Sequence, residues 1–137
     1  MQNIKDQLNT IVKLFNNGEK QIALNKISLL LPSNEKNIEL LLLHSKICIN
    51  LNEINKANLS LEKILNLELK NYEALKLIYL NYLKNNKIDL AKKYIDKLLI
   101  IKKNNYEFLR DKAYIEYLNN DYLVSEKYIN EALNQNS

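Results

Sequence analysis

His44 and Cys48 stand four residues apart, on one face of any helix that holds them, a spacing at which two side chains can share a metal ion. They are the one histidine and the one cysteine of a 137-residue chain. No Asp or Glu lies at helical spacing beside them to act as a third ligand. Core packing is therefore expected of both, with Cys48 an inert buried thiol and no metal bound. A Ser–His–acid relay is not expected either, because His44 is predicted to be buried away from any hydroxyl nucleophile in a cleft. With a single glycine, Gly18, the chain has no glycine-rich loop to cradle a phosphate or a dinucleotide. Glu39, Glu73 and Glu107 recur as a column of carboxylates, but they fall in first turns of helices, where negative charge suits the helix N-terminus. Glu73–Lys76 and Glu107–Arg110 are i, i+3 pairs on one face. The sequence thus predicts no enzyme activity and no cofactor.

Charge offers a second kind of chemistry. Twenty Lys and Arg against 16 Asp and Glu give a net charge of +4. Residues 72–105 hold eight lysines against three acids, whereas 106–137 hold three basic residues against six acidic. Lys92, Lys93, Lys97, Lys102 and Lys103 are expected on the second of two helices in the basic segment. A nucleic-acid groove would interleave such lysines with accessible aromatics, and only Tyr94 is near. A solvated basic face is the expectation, and an RNA-binding face is kept as an alternative. The chain is crowded with Asn, Lys, Ile, Leu and Tyr, a bias that AT-rich coding imposes on any protein.

The elements that position these residues follow from a repeat. Ala23, Ala57, Ala91 and Ser125 are spaced by 34, as are Ile27, Leu61, Ile95 and Ile129. Leu31, Leu65, Leu99 and Leu133 form a third column, Asn3, Asn37, Asn71 and Asn105 a fourth, and Gly18, Asn52, Asn86 and Asn120 a fifth. Within the third repeat, Leu75, Ile78, Tyr79 and Tyr82 define one buried helical face, and Ile88, Ala91, Ile95, Leu98 and Leu99 another. The Asn column suits an N-cap. The Gly/Asn column sits where the first helix must stop and reverse, and those residues tolerate the left-handed conformation. One glycine and one proline exclude most all-β designs, which need frequent turn residues. At 47% hydrophobic and 26% charged, the chain is globular rather than disordered. One cysteine excludes an intrachain disulfide.

The segments NNGEKQIALNKI at 16–27 and NNKIDLAKKYIDKLL at 85–99, set in this period, resemble the turn and second helix of tetratricopeptide repeat (TPR) proteins. The resemblance covers essentially the whole chain. It implies an all-α, right-handed superhelical α-α solenoid of about four helix–turn–helix repeats. These form a single domain over 1–137, with repeats at approximately 4–37, 38–71, 72–105 and 106–137. The chain departs from the family pattern in three ways. The aromatic that opens the first helix is replaced by Gln7, Leu41, Leu75 and Leu109. The closing proline is absent, and Pro32 falls three residues early, so the second helix of the first repeat should be short. Ile11 and Tyr79 stand at a normally small position and should push their helix pairs apart. Gln7 in the first repeat, and Ala132 with Asn130 and Asn134 in the last, predict polar outer faces and a self-contained array, with a piece of a longer array as the alternative.

The resemblance also implies where function lies. First helices would line a concave groove that takes extended or helical peptides, and Leu8, Val12 and Phe15 would face it in the first repeat. The peptide-binding residues expected in the others are Leu42, Lys46, Ile49, Lys76, Leu80, Leu83, Arg110, Tyr114 and Tyr117. All nine tyrosines lie between Tyr72 and Tyr128, which favours the second half as the contact site. The carboxylate clamp of chaperone-binding TPR proteins (Lys, Asn, Asn, Lys, Arg) is not matched. Its positions hold Leu8, Val12, Leu43, Glu73 and Leu77 in one register and Leu42, Lys46, Leu77, Glu107 and Asp111 in the other. The expected role is a non-enzymatic adaptor, scaffold or chaperone-like module that binds a hydrophobic or amphipathic segment of a protein partner. The alternatives are the RNA-binding face of the third repeat and a structural homo-oligomer, the chain itself being a monomer or a weak homo-oligomer. No apolar run reaches the ~18 residues of a membrane span, and no secretory leader opens the chain, so a cytoplasmic location is expected.

Overall fold

Each 34-residue period folds as a pair of helices. The computed structural model describes residues 2–135, and among them are eight α-helices and no strand. The first helices of the pairs are α1 (Ile4–Asn16), α3 (Ile38–Asn50), α5 (Tyr72–Lys84) and α7 (Tyr106–Leu118). The second helices are α2 (Lys20–Leu30), α4 (Ile54–Leu67), α6 (Ile88–Ile101) and α8 (Tyr122–Gln135). The chain divides into two compact units, Met1–Leu69 and Lys70–Ser137, each built from two such pairs.

The columns read from the sequence do the local work assigned to them. Asn3, Asn37, Asn71 and Asn105 each precede a first helix, and each side-chain oxygen accepts from the N–H three residues on, at 2.8 to 3.0 Å. That satisfies one orphan donor per helix and fixes where it starts. Gly18 has φ +88°, and Asn52, Asn86 and Asn120 have φ between +60° and +62°. The next N–H closes back on the helix, as where Glu53 N donates to Cys48 O at 2.8 Å and Lys87 N to Tyr82 O at 2.9 Å. An Asn86→Ala substitution should cost about 1 kcal/mol, since alanine gains nothing locally to offset a left-handed backbone. Asn86→Gly should stay within about 0.5 kcal/mol of the wild type, and paired thermal melts would separate the two.

Pro32 acts as expected: α2 ends at Leu30, three residues short of its counterparts, and a 3₁₀ turn over Leu31–Ser33 follows. Ile11 is buried, and a hollow of about 230 Å³ opens beside it between Gln7, Thr10, Lys26 and Leu30. In the N-terminal unit the core is Leu8, Ile11, Ala23, Leu24, Ile27, Leu40, Ile47, Cys48 and Ala57, with Phe15 and Ile49 packed against it. Leu8 therefore corrects its expected place: it is core and faces no ligand. In the C-terminal unit Leu75, Ile78, Tyr79, Ile95, Leu98, Phe108 and Leu109 are all buried.

Tyr79 does not simply wedge its pair apart. Its ring meets Phe108 edge-on at 6.0 Å, and its hydroxyl donates to Asp111 Oδ2 at 2.7 Å. Burial, then the bond to Asp111, pushes the phenol far above its ordinary value, so it stays a donor. The polar finish expected of the last repeat is not what α8 shows. Ala132 is buried, while Tyr122 and Leu133 are each 57% exposed and Ile129 is 47% exposed. The reason is register: the 30/64/98/132 column faces inward, and the stripe through Tyr122, Ile129 and Leu133 is the one left outside.

Candidate functional site

The sequence-predicted contact residues divide between the two units. In the N-terminal unit Leu42, Lys46 and Ile49 follow one another along α3; Lys46 is exposed, and the other two are half-buried. In the C-terminal unit Lys76, Leu80 and Leu83 lie along α5, and Arg110, Tyr114 and Tyr117 along α7. Leu80 is 43% exposed, Tyr114 52% and Tyr117 57%. These are large apolar groups that folding leaves in water. Arg110, Tyr114 and Tyr117 come together with Ala113, Ser125 and Ile129 around an open hollow of about 240 Å³. Lys76, Leu80 and Leu83 do not line it.

Charge on this surface is already partly committed. The Arg110 guanidinium reaches Asp111 Oδ1 at 3.2 Å and lies over the Tyr106 ring, rather than serving as the i, i+3 partner of Glu107. Lys76 and Lys102 both sit over Tyr72, at 5.6 and 5.8 Å from its centroid. The basic residues of the third repeat are likewise engaged. Lys92 pairs with Glu116 at 2.9 Å, and Lys93 and Lys97 approach Tyr94, which is buried and stacked on Tyr82. A buried ring offers no platform for a base. Lys102 and Lys103 fall beyond the end of α6, not on it.

The His44–Cys48 pair is buried as expected, and the hydroxyl that meets His44 is buried with it. His44 Nδ1 shares a 2.6 Å hydrogen bond with the Ser60 hydroxyl of α4, and Cys48 Sγ lies 3.4 Å from Nε2. Burial lowers the His44 pKa, and Lys56 and Lys63 lower it further. Burial also pushes the Cys48 thiol up to about 11, against the pull of Lys56. Both groups are thus held neutral, the opposite of an activated thiolate–imidazolium pair. Ser60 is itself buried, and the hydroxyl satisfies the ring instead of reaching a substrate. Among the described residues, no cluster of three or more His, Cys, Asp or Glu could hold a metal ion.

A buried ionic group escaped the sequence reading. Lys112 and Glu116, one turn apart on α7, are both almost wholly buried. Lys112 Nζ donates to Asp96 Oδ1 at 2.5 Å, and Lys92 and Lys112 converge on Glu116 Oε1 at 2.9 and 3.1 Å. At Oε1 those are ion-pair distances without directional hydrogen-bond geometry. The signal lay in the columns: Lys112 and Glu116 stand 34 residues after Ile78 and Tyr82, and 68 after His44 and Cys48. Two inward positions that carry charge imply charge on the facing helix.

Solved structures with this geometry exist at low sequence identity. A MamA fragment from Desulfovibrio magneticus RS-1 matches with a TM-score of 0.84 at 11% identity, over 98% of this chain and 76% of its own. A tetratricopeptide repeat protein from Parabacteroides merdae matches at 0.72 and 19%, over 98% of this chain and 52% of its own. The fold is that of a TPR protein. A thermophilic TPR protein from Thermus thermophilus matches at 0.66 and 14%, over 96% of this chain and 73% of its own. No family model matches the sequence, and no curated protein does. For this TPR-like chain the fold class is therefore the all-α helical repeat. Among the described residues no helix is long and apolar enough to cross a membrane.

Proposed function

We propose that this chain is a protein-interaction module, an adaptor or scaffold without catalytic activity. It captures a hydrophobic or amphipathic peptide segment on the first-helix surface of its C-terminal unit. The observation that supports this most is the exposure of Leu80, Tyr114 and Tyr117 on neighbouring first helices. Apolar side chains of this size, grouped and left in water, mark contact surfaces more often than free ones. Tyrosine adds a large face and a polar tip at low entropy cost, which suits a contact that forms and breaks. Lys76 stands one turn from Leu80 on α5 and can meet an acidic group of the segment. In the N-terminal unit Leu42, Lys46 and Ile49 form a similar strip on α3.

The test is the double substitution Leu80→Asp with Tyr114→Asp. Both side chains are about half exposed, so the helical melt should move little. Partner capture from the source cell, read by mass spectrometry, should be lost. Unchanged capture would move the contact to another surface and end this assignment.

A further inference from the structure

The pairing of the third repeat with the fourth shows what kind of element seats on a helix pair of this chain. The face that α5 and α6 present is covered by α7. Phe108 packs on Tyr79, Glu116 meets Lys92, and Lys112 meets Asp96. Moved on by 34 residues, the same face of α7 and α8 carries Ala113 in place of Tyr79, Ile129 for Ile95, Glu126 for Lys92 and Asn130 for Asp96. This second face is exposed: Tyr122, Ile129 and Leu133 form a stripe at i, i+7 and i+11, with Tyr114 and Tyr117 alongside.

Two differences specify the occupant. Where Tyr79 fills the third repeat, Ala113 leaves the hollow of about 240 Å³ open. A cavity of about 150 Å³ already accepts a benzene ring, so one aromatic side chain fits with room to spare. Where Lys92 called for an anion at Glu116, Glu126 calls for a cation. Glu126 is exposed, while the one arginine of the face, Arg110, is already paired with Asp111.

We propose that the exposed face of α7 and α8 docks a basic amphipathic helix of a partner protein. Its aromatic anchor enters the hollow at Ala113, and a lysine or arginine eight residues further on meets Glu126. The spacing of eight is that from Phe108 to Glu116, the pair that seats α7 on the preceding face. The proposal shares Tyr114 and Tyr117 with the surface proposed above but makes no use of Leu80.

The experiment uses two synthetic peptides held helical by a staple on the outward side. One is the 106–118 sequence with Glu116→Lys, the other the unaltered sequence. Titrated into the full chain by fluorescence anisotropy, the Lys peptide should bind about tenfold more tightly, the sum of one attraction gained and one repulsion avoided. Glu126→Lys in the protein should invert that preference, Ile129→Asp should abolish binding of both, and Leu80→Asp should change neither. Equal affinity of the two peptides, no binding of either, or indifference to Glu126→Lys would overturn the proposal. So would light scattering that shows a dimer which Ile129→Asp dissociates, since the occupant would then be a second copy. If these peptide results hold while Leu80→Asp alone leaves partner capture intact, the first-helix assignment fails and this one stands.

Discussion

Phe108→Ala is expected to destabilise the C-terminal unit by about 3–5 kcal/mol, the largest effect of any single apolar truncation in the chain. The side chain is among the largest that are fully buried. Its ring lies 6.0 Å from both Tyr72 and Tyr79, tilted at 57° to the first and edge-on at 89° to the second. Truncation removes the transfer energy of a phenyl group and leaves a cavity that those tyrosines cannot close. Tyr79 is tied by its hydroxyl to Asp111, and Tyr72 stands between two lysines. A urea melt followed by circular dichroism measures the loss, and Phe108→Leu should recover more than half of it. The near-ultraviolet signal of the tyrosines should weaken in the alanine variant even in water, because the two rings lose their common partner. A loss below about 1 kcal/mol would mean that Phe108 does not clamp α7 onto α5.

What the sequence made legible depended on how locally each feature is determined. An N-cap asparagine and a left-handed turn residue act within one turn of backbone, so the Asn3 and Gly18 columns could be read from spacing alone. The truncation of α2 by Pro32 is equally local. Inward faces were legible where they are apolar, as at Leu75, Ile78 and Leu98. The partners of inward polar side chains were not legible, because they lie far away in sequence: Ser60 for His44 at 16 residues, Asp96 for Lys112 also at 16. The same distance hid the role of Tyr79. Its size at a small-residue position signalled a wedge, but its hydroxyl has a carboxylate 32 residues on that turns the wedge into a link. For the proposed contact surface, the sequence placed Tyr114 and Tyr117 with Arg110 on one helix face. It could not show that Ala113, by its smallness, leaves a hollow between them and α8.

Removing one member of the buried ionic group should rival the loss at Phe108. In Lys112→Met the Glu116 carboxylate stays buried and keeps only Lys92, whose side chain is 40% exposed and so shielded by solvent. Breaking a buried pair from one side costs about 3–5 kcal/mol, and the remaining Lys92 should hold this case near the lower figure. The double variant Lys112→Met, Glu116→Leu should regain much of the loss, since no uncompensated charge remains. Acid provides an independent check. Burial pushes the Glu116 carboxyl up, but Lys92 and Lys112 outweigh it and hold the group below its ordinary value of 4.5. A carboxyl with a depressed folded pKa binds its proton more readily in the unfolded chain. Its stabilisation is therefore present in full above about pH 4.5 and is lost as pH falls through the folded value. The wild type should lose this contribution between neutral and strongly acidic pH, whereas Glu116→Gln, less stable at pH 7, should lose less over the same range. Melts of both proteins from pH 7 to pH 3 should thus converge, and parallel curves would show that the carboxylate contributes nothing to the fold.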